Sequence, residues 1–250
     1  MDNRPAVERA EQTTVPGRRS ATSVMSPYDL IIFDCDGVLV DSELLSCNAL
    51  IDLLRQHGID VDLDVVFDRF LGRSPQAVVD YCASSARPLP DDFQAKLSMA
   101  VREAFATSLK PVPGAAKVLR GLKTHYCVAS SSDLERMDYS LGFTGFSSLV
   151  HNRVFSAEMV RRGKPAPDLF LHAAARMRAA PGRTLVVEDS VSGVQAGKTA
   201  GMTVWGFVGG SHYARRDGRA PLVEAGADRV FDRMADFHLH EAGLFGHAAR

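Results

Sequence analysis

The sequence is poor in everything that would hold it together covalently or draw it to a large charged partner. Of its 250 residues only four are cysteine, Cys35, Cys47, Cys82 and Cys127. None forms a C-x-x-C pair, which argues against a disulfide framework and fits reduced thiols in a cytoplasmic protein. An excess of either charge is missing too: 29 Lys and Arg stand against 30 Asp and Glu, for a formal charge of −1. Nucleic acid and anionic membranes therefore find no global attraction here, and a small-molecule partner is expected instead. No apolar run approaches the roughly 20 residues that cross a bilayer. The pair Arg18-Arg19 is not followed by the apolar segment an export signal needs. What is present, 46% hydrophobic and 24% charged residues, suffices for a large buried core.

Residues 1–25 are rich in Arg, Glu, Thr, Ser, Ala and Pro without apolar periodicity and read as a disordered tail, with Met25 as an alternative translation start. The chain is organised around the stretch 30–43. Leu30-Ile31-Ile32-Phe33 reads as a buried parallel strand, and it ends in Asp34-Cys35-Asp36-Gly37 and then Val38-Leu39-Val40-Asp41-Ser42-Glu43. From Glu43 the period becomes helical: Cys47, Leu50, Ile51 and Leu54 recur on one face, and Gly58 stands at a C′ position. Val65 to Phe70, a helix capped by Ser74 with Pro75 at N1, and a longer helix from Phe93 to about Leu109 continue the pattern.

Strands resume after Pro111-Val112-Pro113-Gly114. Candidates are His125–Ala129, Val154–Ser156, Thr184–Val187, Thr203–Val208 and Asp228–Phe231, with helices between them. Alternation of this kind predicts a doubly wound, Rossmann-like parallel α/β sheet. The expected division is a tail over 1–25, a core over 26–42 and 111–240, and an all-helical insertion over 43–110. After Ser130-Ser131-Ser132 the spacing of Ser132 and Glu135 matches a capping box, which predicts a helix whose first amides face the strand end.

In an open parallel sheet the carboxyl ends of strands share one edge, so Asp34, Asp36, Ser130, Glu188 and Asp189 are expected to meet there with Lys164 from a loop. Asp and Gly also make ordinary turns, and Ser130, Lys164 and Glu188-Asp189-Ser190 each have a structural reading as cap, loop charge and capping cluster. As a set they suit a phosphomonoester. The carboxylates suit a hard divalent cation, with Mg²⁺ the natural choice, and a hydroxyl and an ammonium group suit phosphate oxygens.

The four motifs Asp34-Cys35-Asp36-Gly37, Val128-Ala129-Ser130, Lys164-Pro165 and Val187-Glu188-Asp189, in this order, resemble those of the haloacid dehalogenase superfamily over about residues 28–235. The resemblance is to its subgroup with an α-helical cap, which holds sugar-phosphate phosphatases and β-phosphoglucomutase. It implies that Asp34 is the nucleophile that becomes an aspartyl-phosphate and that Asp36 is the acid and base. It further implies that Ser130, Ser131, Lys164 and the Cys35 and Asp36 amides hold the phosphoryl group. Mg²⁺ would be held by Asp34, Asp36, Glu188 and Asp189, and the helical insertion would be the cap. Arg73, in the loop Phe70–Ser74, matches the cap specificity loop and is the candidate substrate contact. Dehalogenases of the superfamily lack the second aspartate, so Asp36 argues against that branch. The mutases carry a lysine and an arginine where Leu71 and Pro75 stand here, which favours hydrolysis of a small phosphorylated metabolite, a sugar or sugar-acid phosphate. A phosphosugar mutase and a phosphosugar-binding regulatory module are the alternatives, and a monomer or weak homodimer is expected. The side chain of Cys35 reads as pointing into the core, and His212, in a loop after a strand, reads as a solvated residue, with reach into the cleft as the alternative.

Overall fold

The computed structural model describes residues 26–71, 73, 75–214 and 216–245. The expected tail, the Met25 start and the Ser74 cap lie outside the described residues. Six strands, β1 (Leu30–Phe33), β2 (His125–Ser130), β3 (Val154–Ser156), β4 (Thr184–Glu188), β5 (Thr203–Phe207) and β6 (Arg229–Phe231), form one sheet in the order β3-β2-β1-β4-β5-β6. Every pairing is parallel. The chain thus winds outward from β1 twice, first through β2 to β3 and then through β4 to β6. The crevice between β1 and its two neighbours is the switch point where such sheets hold ligands.

Strand residues alternate between two apolar layers, as a period of two requires. Leu30, Ile32, Cys127, Ala129, Val186 and Val204 face one layer, and Ile31, Phe33, Val128, Leu185, Val187 and Trp205 face the other. Helices α5 (Ala115–Gly121), α6 (Leu134–Phe143) and α7 (Ser147–Val150) put Val118, Leu119, Met137, Leu141 and Val150 into the second layer. Helices α8 (Asp168–Arg176), α9 (Val191–Thr199) and α10 (Arg219–Glu224) cover the first with Leu169, Phe170, Ala173, Val194 and Leu222. The side chain of Cys35 is fully buried in the core, as expected.

The insertion after β1 consists of four helices, α1 (Glu43–Gln56), α2 (Leu63–Phe70), α3 (Pro75–Ser84) and α4 (Phe93–Ser108). Gly58 ends α1 with φ +71°, the left-handed conformation its position predicts. The apolar face of the insertion, including Leu50, Leu54, Phe67, Val101 and Phe105, merges with the layer that holds Phe33 and Val128. Its two connections to the sheet run side by side. Asp41 N–H donates to Lys110 O at 2.9 Å and Val112 N–H to Leu39 O at 2.8 Å, so the insertion leaves and rejoins the sheet next to β1.

Candidate active site

Register brings the first motifs together. Phe33 pairs with Val128 on one side and Val187 on the other, which places Asp34 level with Glu188 and within one strand spacing of the end of β2 at Ser130. Asp34 N–H donates to Val187 O at 2.9 Å. Beyond Asp36 the chain reverses through Gly37, whose φ of +73° is left-handed. A Cβ there would stand 1.8 Å from Asp189 Oδ2, so only glycine lets β1 turn against the end of β4.

Lys164 is the cation at the centre. Its Nζ donates to Asp34 Oδ1 and to Glu188 Oε1, each at 2.5 Å, and to Ala129 O at 3.3 Å. Burial opposes its charge, but the two carboxylates overcome this and keep the ammonium protonated. Asp34 is pushed well up by burial; Lys164 pulls it down, and Glu188, Asp189 and Asp36 push it up again. Both oxygens of Glu188 are engaged, Oε1 by Lys164 and Oε2 by the Ser190 N–H and hydroxyl at 2.8 and 2.9 Å. Glu188 therefore fixes Lys164 in place.

Asp36 lies in a clamp of donors. Ser42 Oγ (2.7 Å) and Arg136 Nη2 (2.8 Å) meet its Oδ1, and Ser132 Oγ (2.7 Å) and Ser130 Oγ (3.2 Å) meet its Oδ2. Burial would raise its pKa, yet the charge of Arg136 and the hydroxyls of Ser42 and Ser132 outweigh it and hold the carboxyl at about 2. Ser132 corrects an expectation here: it does not cap α6. Asp133 does, accepting from Arg136 N–H at 2.7 Å. Nor do the first amides of α6 all face the strand end, since Leu134 N–H is taken by Glu158 Oε2 at 3.0 Å. The capping signal was one residue out of step because an aspartate, an equally good cap, follows the serine.

His212 corrects another. It is 3% exposed, wedged between Phe67 of α2 and Tyr213, with ring centroids 6.0 and 4.1 Å away. Its Nε2 lies 3.2 Å from Asp189 Oδ2, but neither ring nitrogen has the geometry of a hydrogen bond. Burial holds its ring below the usual histidine range, hence neutral. The Tyr213 hydroxyl donates to the carbonyl of Asp189. Glu43, at the start of α1, lines the cavity above Asp34 and Asp36, and burial followed by the charges of Asp189 and Asp36 pushes it up to about 8.

These side chains suit a metal ion by their chemistry. Asp189 Oδ2 is buried without a hydrogen-bond donor, and burial and then Glu188 push Asp189 well above the carboxylate range, against a smaller pull from Lys164. A cation beside Asp34 and Asp189 would relieve both, and Asp36 stands next to them. Among the described residues no three side chains already converge as ligands.

A cavity of about 480 Å³ opens above this edge, lined by Asp34, Asp36, Ser130, Ser131 and Lys164 on the sheet side. Phe70, Arg73, Val78 and Val101 line it from the helical insertion. Arg73 is thus brought to the cavity it was expected to serve. Arg136, Ser42, Ser132, Glu43 and His212 are the site neighbours that motif reasoning missed. The first three are bonded to Asp36, and Ser42 and Glu43 close the string that begins at Asp34, a signal that was available. Arg136 carries none, because an arginine in the first turn of a helix reads as solvent-facing.

A family model described as haloacid dehalogenase-like hydrolase matches residues 28–201. A 6-phosphogluconate phosphatase of Escherichia coli K12 is 31% identical over 190 residues, covering 75% of this chain and 86% of that protein. A glycerol-3-phosphatase of Arabidopsis thaliana is 32% identical over 252 residues, covering 96% and 79%. The crystal structure of a hydrolase of the same family from Deinococcus radiodurans R1, with bound phosphate and sodium, superposes with a TM-score of 0.71 at 34% identity, covering 89% of this chain and all of that one. No helix among the described residues is long and apolar enough to cross a membrane.

Proposed function

The chain belongs to the haloacid dehalogenase-like hydrolases, and on that premise we propose that it is a Mg²⁺-dependent phosphatase of a small phosphorylated metabolite, a sugar or sugar-acid phosphate. The observation that carries this reading is the meeting of Asp34, Asp36 and Lys164 in the lining of one cavity. The relatives named as phosphatases of 6-phosphogluconate and glycerol 3-phosphate support it.

In this reading Asp34 attacks phosphorus, the bond from phosphorus to the ester oxygen breaks, and Asp36 gives that oxygen its proton. Asp36 then removes a proton from water, which attacks the aspartyl-phosphate, releasing phosphate and restoring Asp34. Ser130, Ser131, Lys164 and the Cys35 amide bind the phosphoryl oxygens. Glu188 keeps Lys164 oriented. Asp34, the Asp36 carbonyl and Asp189 would hold Mg²⁺, with Glu188 beside them, and the ion would neutralise charge on the transferring group. Because the clamp holds Asp36 as an anion at rest, it must first take up a proton from solvent before it can give that proton to the leaving oxygen. Loosening one of its four donors favours that uptake. The helical insertion closes the cavity against water.

The test is phosphate release from a panel of hexose, pentose and sugar-acid phosphates with Mg²⁺ or with EDTA. Metal-dependent release concentrated on one compound is expected. Isomerisation without release once a bisphosphate is added would make the protein a mutase, and silence in both assays would point to a binding module.

A further inference from the structure

Arg136 is held from three sides before any substrate arrives. Its Nη2 donates to Asp36 Oδ1 at 2.8 Å and to Ser46 Oγ of α1 at 2.9 Å. Its guanidinium carbon lies 5.1 Å from the centre of the Phe105 ring on α4. The backbone beneath it is fixed by the Asp133 cap. Both of its hydrogen bonds are made through Nη2, and its buried Nε meets no acceptor among the described residues. The side chain lines the cavity. A pre-oriented guanidinium at a cavity wall, with one donor nitrogen unpaired, is matched to oxygen acceptors, above all to a carboxylate or a pair of hydroxyls.

Its distance from Asp36 says which part of a substrate it can reach. In the phosphatase reading, on which this step rests, the ester oxygen comes within hydrogen-bond length of Asp36, and Arg136 is already at that distance from the same carboxylate. The group it meets is therefore close to the ester oxygen. Two oxygens on neighbouring carbons lie about that far apart when gauche. We propose that Arg136 reads an oxygen on the carbon adjacent to the phosphoester carbon, a vicinal hydroxyl or a carboxylate, and so selects phosphorylated polyols and hydroxy acids over plain alkyl phosphates.

Two pairs of compounds isolate this oxygen: propane-1,2-diol 1-phosphate against propyl phosphate, and 2-phosphoglycolate against ethyl phosphate. Phosphate release with Mg²⁺ gives kcat/KM for each with the full chain, R136A and R136K. Wild type is expected to prefer the oxygenated member of each pair. R136A should slow both members through the lost support of Asp36. It should lose about 10- to 100-fold more on the oxygenated member, the worth of a hydrogen bond to a charged group, so that the preference within each pair collapses. R136K should recover part of that preference. Equal losses on both members would make Arg136 only a support for Asp36 and overturn the proposal. Absence of preference in wild type overturns it without recourse to a variant, should R136A fail to fold. Wild type silent on all four compounds and on the sugar-phosphate panel would instead remove the phosphatase reading, and this proposal with it.

Discussion

Lys164 Nζ stands 2.5 Å from Asp34 Oδ1 and the same distance from Glu188 Oε1, with both the lysine and glutamate side chains 1% exposed. One ammonium group thus balances two carboxylates, Glu188 shut off from water and Asp34 facing the cavity. Removing one partner of a buried ion pair leaves an uncompensated charge, which costs about 3–5 kcal/mol. Lys164→Met should lower the stability of the metal-free protein by that amount in urea unfolding and abolish phosphate release. Adding Glu188→Gln should return part of the stability and none of the activity. Unchanged stability in Lys164→Met would mean that the triad is not formed in solution.

Glu43 gives the site a pH dependence with a definite sign. Its pKa rises from the ordinary 4.5 to about 8 in the folded protein, so between these values the unfolded chain releases a proton that the folded one keeps. Stability contributed by the protonated carboxyl is complete below pH 4.5, declines above it and is gone beyond about pH 8. At pH 7 the loss is about 3 kcal/mol as an order of magnitude. Glu43→Gln, which cannot ionise, should therefore stabilise the metal-free protein near pH 8 and make no difference at pH 4. Denaturant midpoints across that range measure it, and a gain that is the same at every pH would contradict the assignment.

Gly37 has a left-handed φ and no space for a side chain. Gly37→Ala carries the backbone penalty of roughly 1–2 kcal/mol and forces Asp189 away from Asp34. Phosphate release should fall further than stability does, and raising Mg²⁺ should restore part of it. Full activity at ordinary Mg²⁺ would show that Asp189 can move without consequence.

Much of this site was legible in the sequence because three of the four motifs stand at the end of a strand, where local pattern fixes position. Asp34 directly follows β1, Ser130 ends β2 and Glu188 ends β4, so predicting a parallel sheet already predicted that they meet. Arg136 and His212 belong to the same cluster and were illegible for a common reason. Arg136 reaches Asp36 across a helix-to-sheet contact 100 residues apart in sequence, and His212 is buried by Phe67 from the insertion. Neither contact leaves a trace in local periodicity. Ser132 shows the limit within a motif: its spacing to Glu135 was that of a cap, but Asp133 took the cap and left the hydroxyl to Asp36.

Asp36 is assigned the transfer of protons, so its loss should matter only where a proton must move. Asp36→Asn should slow sugar-phosphate hydrolysis by about 10²–10⁴-fold. With p-nitrophenyl phosphate, whose leaving group departs without a proton, the first step should survive and only release of phosphate from Asp34 should stall. Comparable slowing of both steps would assign Asp36 to binding.

That stalled state offers the most direct test of Asp34 as nucleophile. Asp36→Asn protein mixed with p-nitrophenyl phosphate and Mg²⁺, quenched in acid and digested, should show one stoichiometric burst of nitrophenolate. The mass of one phosphoryl group should appear on the peptide carrying Asp34 and be absent when Asp34→Asn is added. Steady turnover with no mass added to that peptide, or the phosphoryl group found on another residue, would contradict the account.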